Sequence, residues 1–379
     1  MLDFSFTAAE EEFRAALRAL ALAELLPRYR EGDAGGVYPK AQIRRIIAFT
    51  DDFWRGRESE RTLVVSGITA EEVARGDFSC VLPSLGPALN REFLGAASPE
   101  LRARWVPGLL TGELVLGLCL TEAGAGSDMG AIQTSAARRG DVYLLNGEKT
   151  SVSFLNADVF YVFARTDPAS ADWRGLSAFL VPRDTPGLTT EPYDDMGCRA
   201  VPRGIMRLRN VEVPANAMVG APGAAFPMIR KFFDVNRAII GLKCVGAALQ
   251  TLDETIAYVK GRAQFGAPLA TYQGVAFPIA EAATVLELAR WQCYRVLWMR
   301  ERDIPCAAEG AMVKWWATKV AAEAIHQCLL LHGHLGYTTR LPVEQRLRDV
   351  IGWQIGDGTP QIQKLIIARS LFGKEFLPR

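Results

Sequence analysis

The last third of the chain carries two long stretches in which apolar residues recur at alternating spacings of three and four. Leu242, Val245, Leu249, Leu252, Ile256 and Val259 make the first, and Ile279, Ala282, Leu286, Ala289, Cys293 and Val296 the second. That period gathers the apolar side chains on one seam of an α-helix. A seam must be covered, so the pattern predicts long antiparallel helices packed as a bundle. The bundle leaves most of the 379 residues unused, which predicts two or three packed units. A hydrophobic fraction of 49% supplies enough apolar surface for a large core.

The N-terminal third reads as helical. Thr7-Ala8-Ala9-Glu10 fits a capping box and is followed by Phe13, Leu17 and Leu20 at helical spacing. Further helices are expected around 39–49, 69–75 and 99–110. Near Leu114 the texture changes to short apolar runs at Val142–Leu145, Val159–Ala164 and Ala178–Val181, with Met206–Arg209 alternating as a half-exposed strand does. Asn146-Gly147 predicts a hairpin turn after the first run. The expected organisation is α+β: an N-terminal helical domain (1–113), a central β-domain (114–223) and a C-terminal helical bundle (224–379).

Composition narrows the function. Lys+Arg 43 against Asp+Glu 42 argues against a nucleic-acid surface. The longest apolar stretch, Leu109 to Leu120, is broken by Thr111, Gly112 and Glu113, so no membrane span is expected. The first residues lack the basic and apolar regions of a secretory signal. Seven cysteines are scattered without a CxxC pair, as expected of buried thiols in a reducing, cytoplasmic setting.

Three stretches could carry chemistry. Thr121 to Gly130 (TEAGAGSDMG) is rich in small residues that admit close approach of a ligand, but it lacks the third glycine of a dinucleotide fingerprint, and spacing alone favours a plain loop. Arg262-Ala263-Gln264-Phe265-Gly266, with Gln273 beyond, offers a guanidinium for phosphate; a cation at a helix end also has a structural use. In Gly356-Asp357-Gly358-Thr359-Pro360-Gln361 a carboxylate between two glycines is free of crowding, although Asp-Gly is also an ordinary turn. His332-Gly333-His334 has no evident third metal ligand and reads as structural; no metal site is expected.

Taken in order, these stretches resemble the flavin-dependent acyl-CoA dehydrogenase family over essentially the whole chain. The resemblance rests on TEAGAGSD (121–128), LNGEK (145–149), FARTDP (163–168), RNVEVP (209–214), RAQFGAPLATYQ (262–273), LPVEQRLRDV (341–350) and DGTPQIQKLIIAR (357–369). It implies a helical domain, a β-barrel-like domain and a four-helix bundle, with FAD held between the last two. By resemblance, Leu118, Thr121, Ser127, Ser151, Ser153, Thr359 and Gln361 contact the flavin portion. Arg262, Phe265 and Gln273 reach its pyrophosphate and adenine end from a neighbouring subunit, which implies a homo-oligomer, dimer or tetramer. Ser127, Asp234, Arg237, Gly358 and Arg369 match positions near the acyl-CoA.

The implied reaction removes a substrate α-proton while the β-hydride passes to flavin N5, giving a 2-enoyl thioester. Electrons then leave to an electron-transferring flavoprotein. Most members use Glu as base in a Tyr-Glu-Gly-Thr stretch; here Asp357 follows Gly356. The shorter acid and missing Tyr suggest a pocket shaped for a bulky, cyclic or branched acyl group. Some members place the base at the position of Asn236, which cannot serve; Asp77 is a candidate auxiliary base, with a solvated surface or helix-end aspartate as the favoured reading. Ser151 stands where an aromatic residue usually packs on the flavin. The acyl carrier is CoA or an acyl carrier protein. The competing readings are a nitroalkane oxidase-like flavin oxidase with an Asp base, and a family-like scaffold without catalysis.

Overall fold

A computed structural model describes residues 5–86, 88 and 94–376. Its N-terminal helices are α1 (Ala8–Leu20), α2 (Tyr29–Gly35), α3 (Lys40–Trp54), α4 (Leu63–Gly76), α5 (Val81–Ser84) and α6 (Pro99–Leu110). The capping box is formed: Glu10 N donates to Thr7 Oγ1 at 3.2 Å, and Thr7 N donates to Glu10 Oε2 at 2.9 Å. Phe13, Leu17 and Leu20 are buried as the spacing predicts.

The middle of the chain folds into β1 (Leu116–Cys119), β2 (Ser135–Arg139), β3 (Val142–Ser153), β4 (Val159–Arg165), β5 (Leu176–Pro182), β6 (Leu188–Pro192), β7 (Arg203–Pro214) and β8 (Met218–Val219). These join as one sheet in the order β6-β7-β3-β2-β4-β5-β8, with β1 added in parallel to β4. A single parallel pair, Ser135 with Arg165, links the two halves of the sheet. One apolar cluster packs Leu145, Met206 and Val211 against Phe160, Val162 and Phe179. A second lies on the opposite face of β4 and β5, where Tyr161, Phe163 and Leu180 meet Trp105 of α6. Burial on both faces explains why β4 and β5 read as unbroken apolar runs.

Asn146-Gly147 does not turn the chain, contrary to the sequence expectation. It lies inside β3 at a bulge opposite β7, where Asn146 Oδ1 accepts from Asn210 N at 2.8 Å. A Cβ on Gly147 would come within 2.5 Å of Thr134 Oγ1, so here the glycine serves close packing. The hairpin turns at Gly140-Asp141 instead, with Gly140 at φ 62°.

The C-terminal region holds α7 (Ala225–Gly261), a small hairpin of β9 (Ala263–Gln264) and β10 (Ala267–Pro268), then α8 (Gln273–Glu301), α9 (Ala307–Leu331), α10 (Val343–Ile355) and α11 (Pro360–Phe372). The predicted seams face the core, with Leu249, Ile256 and Ile279 partly buried, and α7 exceeds its seam: every residue from 236 to 248 is buried. The added cover comes from α4, which joins the same apolar core as α7, α8 and α9. A Cβ on Gly246 would lie 2.2 Å from Glu71 O, so only glycine lets α4 approach α7 this closely. Buried Glu71 accepts from Arg290 Nε and from the Tyr294 hydroxyl, tying α4 to α8. The N-terminal helices and the bundle therefore share one core. Among the described residues no helix is long and apolar enough to cross a membrane.

Candidate active site

The turn between α10 and α11 carries Asp357. It is a left-handed turn, with Asp357 at φ 55° and Gly358 at φ 97°. Two buried side chains pin it from within the bundle. Lys314 Nζ on α9 donates to Gly358 O at 2.5 Å and to Gln354 O at 3.2 Å; Gln363 Nε2 on α11 donates to Gly358 O at 3.1 Å. Thr359 accepts from Ile362 N and so caps α11, which restarts the chain after the turn.

Asn236 on α7 donates from Nδ2 to Asp357 Oδ2 at 2.8 Å. Oδ1 of Asp357 has no hydrogen-bond partner among the described residues, which leaves a lone pair for proton abstraction. Burial raises the Asp357 pKa; Lys314, Lys243, the Asn236 hydrogen bond and Arg237 oppose that rise. Burial pushes Lys314 down to about 8, against the pull of Asp357. Around this carboxyl several buried polar atoms are left unpaired: Asn236 Oδ1, Arg237 Nε and Gln363 Oε1. Buried polar atoms are nearly always satisfied, so such a cluster of open valences marks a place for a ligand. Arg237 Nη1 also reaches Asp234 Oδ1 at 3.3 Å, which brings both predicted acyl-CoA residues to the same face of α7.

On the sheet side, Thr121 O accepts from Thr150 N at 2.8 Å, and Lys149 Nζ donates to Leu120 O at 3.1 Å and Glu122 Oε1 at 2.7 Å. Glu122 also takes the amides of Gln133 and Thr134, so the base of the 121–128 loop is rigid. Its outer side is bare: Ser127 is exposed, and a Cβ on Gly124 would meet nothing within 4 Å. Leu118 is partly buried on β1. Ser151 adopts φ 57°, and its hydroxyl accepts from Arg203 Nη1 at 2.8 Å; Ser153 ends β3. The position expected to hold an aromatic side chain thus supports a guanidinium instead.

Other predicted residues stand apart. Arg262, Phe265 and Gln273 are exposed on the β9–β10 hairpin and the start of α8. The turn residues Phe265 and Gly266 both have positive φ, 52° and 82°, and Phe265 is 97% exposed. At 1.5 Å per residue, Arg262 lies roughly 39 Å along α7 from Asn236. Gln361 and Arg369 are exposed on α11, Arg369 in its last turn.

Two cations of this region, Lys314 and Lys243, went unread in the sequence. Each is a lone cation within an apolar helix stretch, and that isolation was the available signal. Asp77 is not solvated as expected: it is 5% exposed, caps the turn Phe78–Cys80 through Ser79 N at 2.8 Å, and is pushed up to about 7 mainly by burial. Asp349, also buried, accepts from the Tyr29 hydroxyl and from Cys198 N, both at 2.5 Å. Of the histidines, His332 stacks on Tyr258 with centroids 4.5 Å apart and bonds Cys328 O, a packing role.

Residues 117–211 match the middle domain of acyl-CoA dehydrogenases, and residues 224–372 match their C-terminal domain. A probable acyl-CoA dehydrogenase of Bacillus subtilis is 33% identical over 98% of this chain and 100% of that protein. The human mitochondrial short-chain specific acyl-CoA dehydrogenase is 33% identical over 93% of this chain and 88% of that protein. The solved butyryl-CoA dehydrogenase of Megasphaera elsdenii superposes with a TM-score of 0.90 at 26% identity, covering 98% of this chain and 100% of that one. The chain belongs to the acyl-CoA dehydrogenase family and is an FAD-dependent oxidoreductase.

Proposed function

We propose that this enzyme dehydrogenates a short acyl thioester, cyclic or branched, between its α and β carbons, with Asp357 as the base. The reading is carried by one observation: a carboxyl of raised pKa, with one oxygen held by Asn236 and the other free, sits among unpaired buried polar atoms. Asn236 fixes the carboxyl's orientation, and Lys314 fixes the backbone that carries it. Gly356 supports a broad acyl group, because a Cβ there would meet only Gly352 O at 3.6 Å and the Trp353 ring at 3.8 Å. No bulky side chain stands beside the base at that position.

The open side of the 121–128 loop suits a flat ring held by neutral donors, and we assign FAD to it, with Leu118, Thr121, Ser127, Ser151, Ser153, Thr359 and Gln361 as its contacts. Bound FAD supplies the hydride acceptor. Asp234, Arg237, Gly358 and Arg369 are assigned to the acyl-CoA. The separation of roughly 39 Å along α7 between Asn236 and Arg262 supports reading Arg262, Phe265 and Gln273 as too far from their own Asp357 to share its cofactor. We therefore assign them to the cofactor of a second copy, and the exposed Phe265 on a left-handed turn supports such a docking tip. The reduced enzyme is read as handing its electrons to an electron-transferring flavoprotein.

Anaerobic bleaching of the FAD-loaded protein by a panel of acyl-CoAs, in wild type and Asp357→Asn, tests the reading. Wild type is expected to bleach and the variant not to. Equal bleaching by both would move the base elsewhere, and a clear preference for linear chains would sink the cyclic or branched assignment.

A further inference from the structure

Lys243 lies in the middle of the buried stretch of α7 and is only 3% exposed. Its ammonium is clamped between two aromatic rings, 4.0 Å from the Phe78 centroid and 3.9 Å from the Trp353 centroid. It forms no hydrogen bond or ion pair with any described residue. Two ring faces offset only part of the cost of burying a cation, and no described residue accepts from its three N–H donors.

No nearby acid pairs with Lys243, although one oxygen of Asp357 is unbonded. Asp349 is held by Tyr29 and Cys198, Asp77 by Ser79 N, and Asp357 by Asn236. Their fields still reach Lys243, since Asp349 and Asp357 both favour its charged form while burial disfavours it. No described side chain completes Lys243, which leaves its ammonium open to a partner from outside the chain.

Position says which molecule brings it. Lys243 follows Asn236 by seven residues, two helical turns, so the two share one face of α7 about 10 Å apart along the axis. Asn236 touches the base, and Trp353 is one turn before the base on α10. Helical side chains lean towards the N-terminus, which inclines the ammonium back towards Asp357. Resting on the dehydrogenase reading above, we propose that Lys243 is a specificity-determining residue that pairs with a carboxylate at the far end of the acyl group. The substrate is then the monothioester of a dicarboxylic acid whose main chain of about four to six carbons spans from the base to the ammonium and carries the ring or branch that Gly356 admits, so the charge preference is read between linear pairs of equal length and is separate from the preference for shape.

The test is anaerobic flavin bleaching of the FAD-loaded enzyme by succinyl-, glutaryl- and adipyl-CoA against butyryl-, pentanoyl-, isovaleryl- and hexanoyl-CoA, in wild type, Lys243→Met and Lys243→Arg. Wild type is expected to favour at least one diacid thioester tenfold or more over its neutral counterpart of equal length. Lys243→Met should invert that preference, and Lys243→Arg should retain part of it. Bleaching by neutral chains but by no diacid would overturn the assignment of Lys243 and leave the dehydrogenase reading standing; so would an equal loss on both classes in Lys243→Met. No bleaching by any thioester would overturn both. Should Lys243→Met fail to fold, the wild-type panel still decides.

Discussion

Lys149 and Glu122 meet at 2.7 Å beneath the 121–128 loop, while Lys314 and Asp357 lie near one another at the turn before α11. Both lysines are fully buried. The first pair is closed: Glu122 takes Lys149 and two backbone amides, and its pKa falls below the usual carboxylate value despite burial. The second is open. Lys314 spends its donors on backbone carbonyls, Asp357 keeps a free oxygen, and burial lifts its pKa. A closed pair fixes structure; an open one holds a proton acceptor in reserve.

Four variants can break or sharpen this contrast. Asp357→Asn should slow flavin reduction by about 100-fold or more, the loss of a general base, with little change in unfolding free energy. Stopped-flow reduction and urea titration on the same samples would check it, and near-normal reduction would erase the distinction between the pairs. Lys149→Met should do the opposite. Stranding buried Glu122 is expected to destabilise the fold by about 3–5 kcal/mol in urea titration, while leaving the pH dependence of reduction in place.

Lys314→Met sharpens the comparison through pH. The base works deprotonated, so reduction should rise with pH through an apparent pKa above the ordinary aspartate value of about 3.9. Lys314 lowers that pKa, and its removal should move the limb to higher pH. A limb that shifts down or stays put would contradict the electrostatic role. The smallest effect is expected from Asp77→Asn. Asp77 has a folded pKa of about 7, above its unfolded value, so its contribution is full at low pH and is lost as pH rises through about 7. The variant stays neutral and should lose less stability than wild type between pH 5 and pH 8, by about 2–3 kcal/mol. Parallel stability curves would refute that.

How much of this was legible beforehand differs between helices and site. The seams of α7 and α8 are read directly from three-four spacing, because that spacing alone gathers their apolar side chains on one face of each helix. The full burial of 236–248 was not, since it depends on α4, which lies more than 150 residues earlier and meets α7 through Gly246. Asn146-Gly147 misled because a left-handed glycine suits a bulge as well as a turn, and only the Thr134 backbone beside it decides between them. Asp357 was marked by its flanking glycines and by family resemblance. Its neighbours Lys314 and Gln363 were not, because they act through backbone carbonyls of a turn whose shape no local pattern encodes.

The left-handed conformation of Asp357 bears on the identity of the proposed base. Short acids and amides tolerate φ near 55° better than longer side chains, since their carboxyl or amide can bond locally. Asp here is therefore also the acid that the backbone accepts with least strain, and Asp357→Glu would exchange a methylene of reach for a less stable turn. On the proposed mechanism, the choice of proton acceptor is partly a decision about a peptide dihedral.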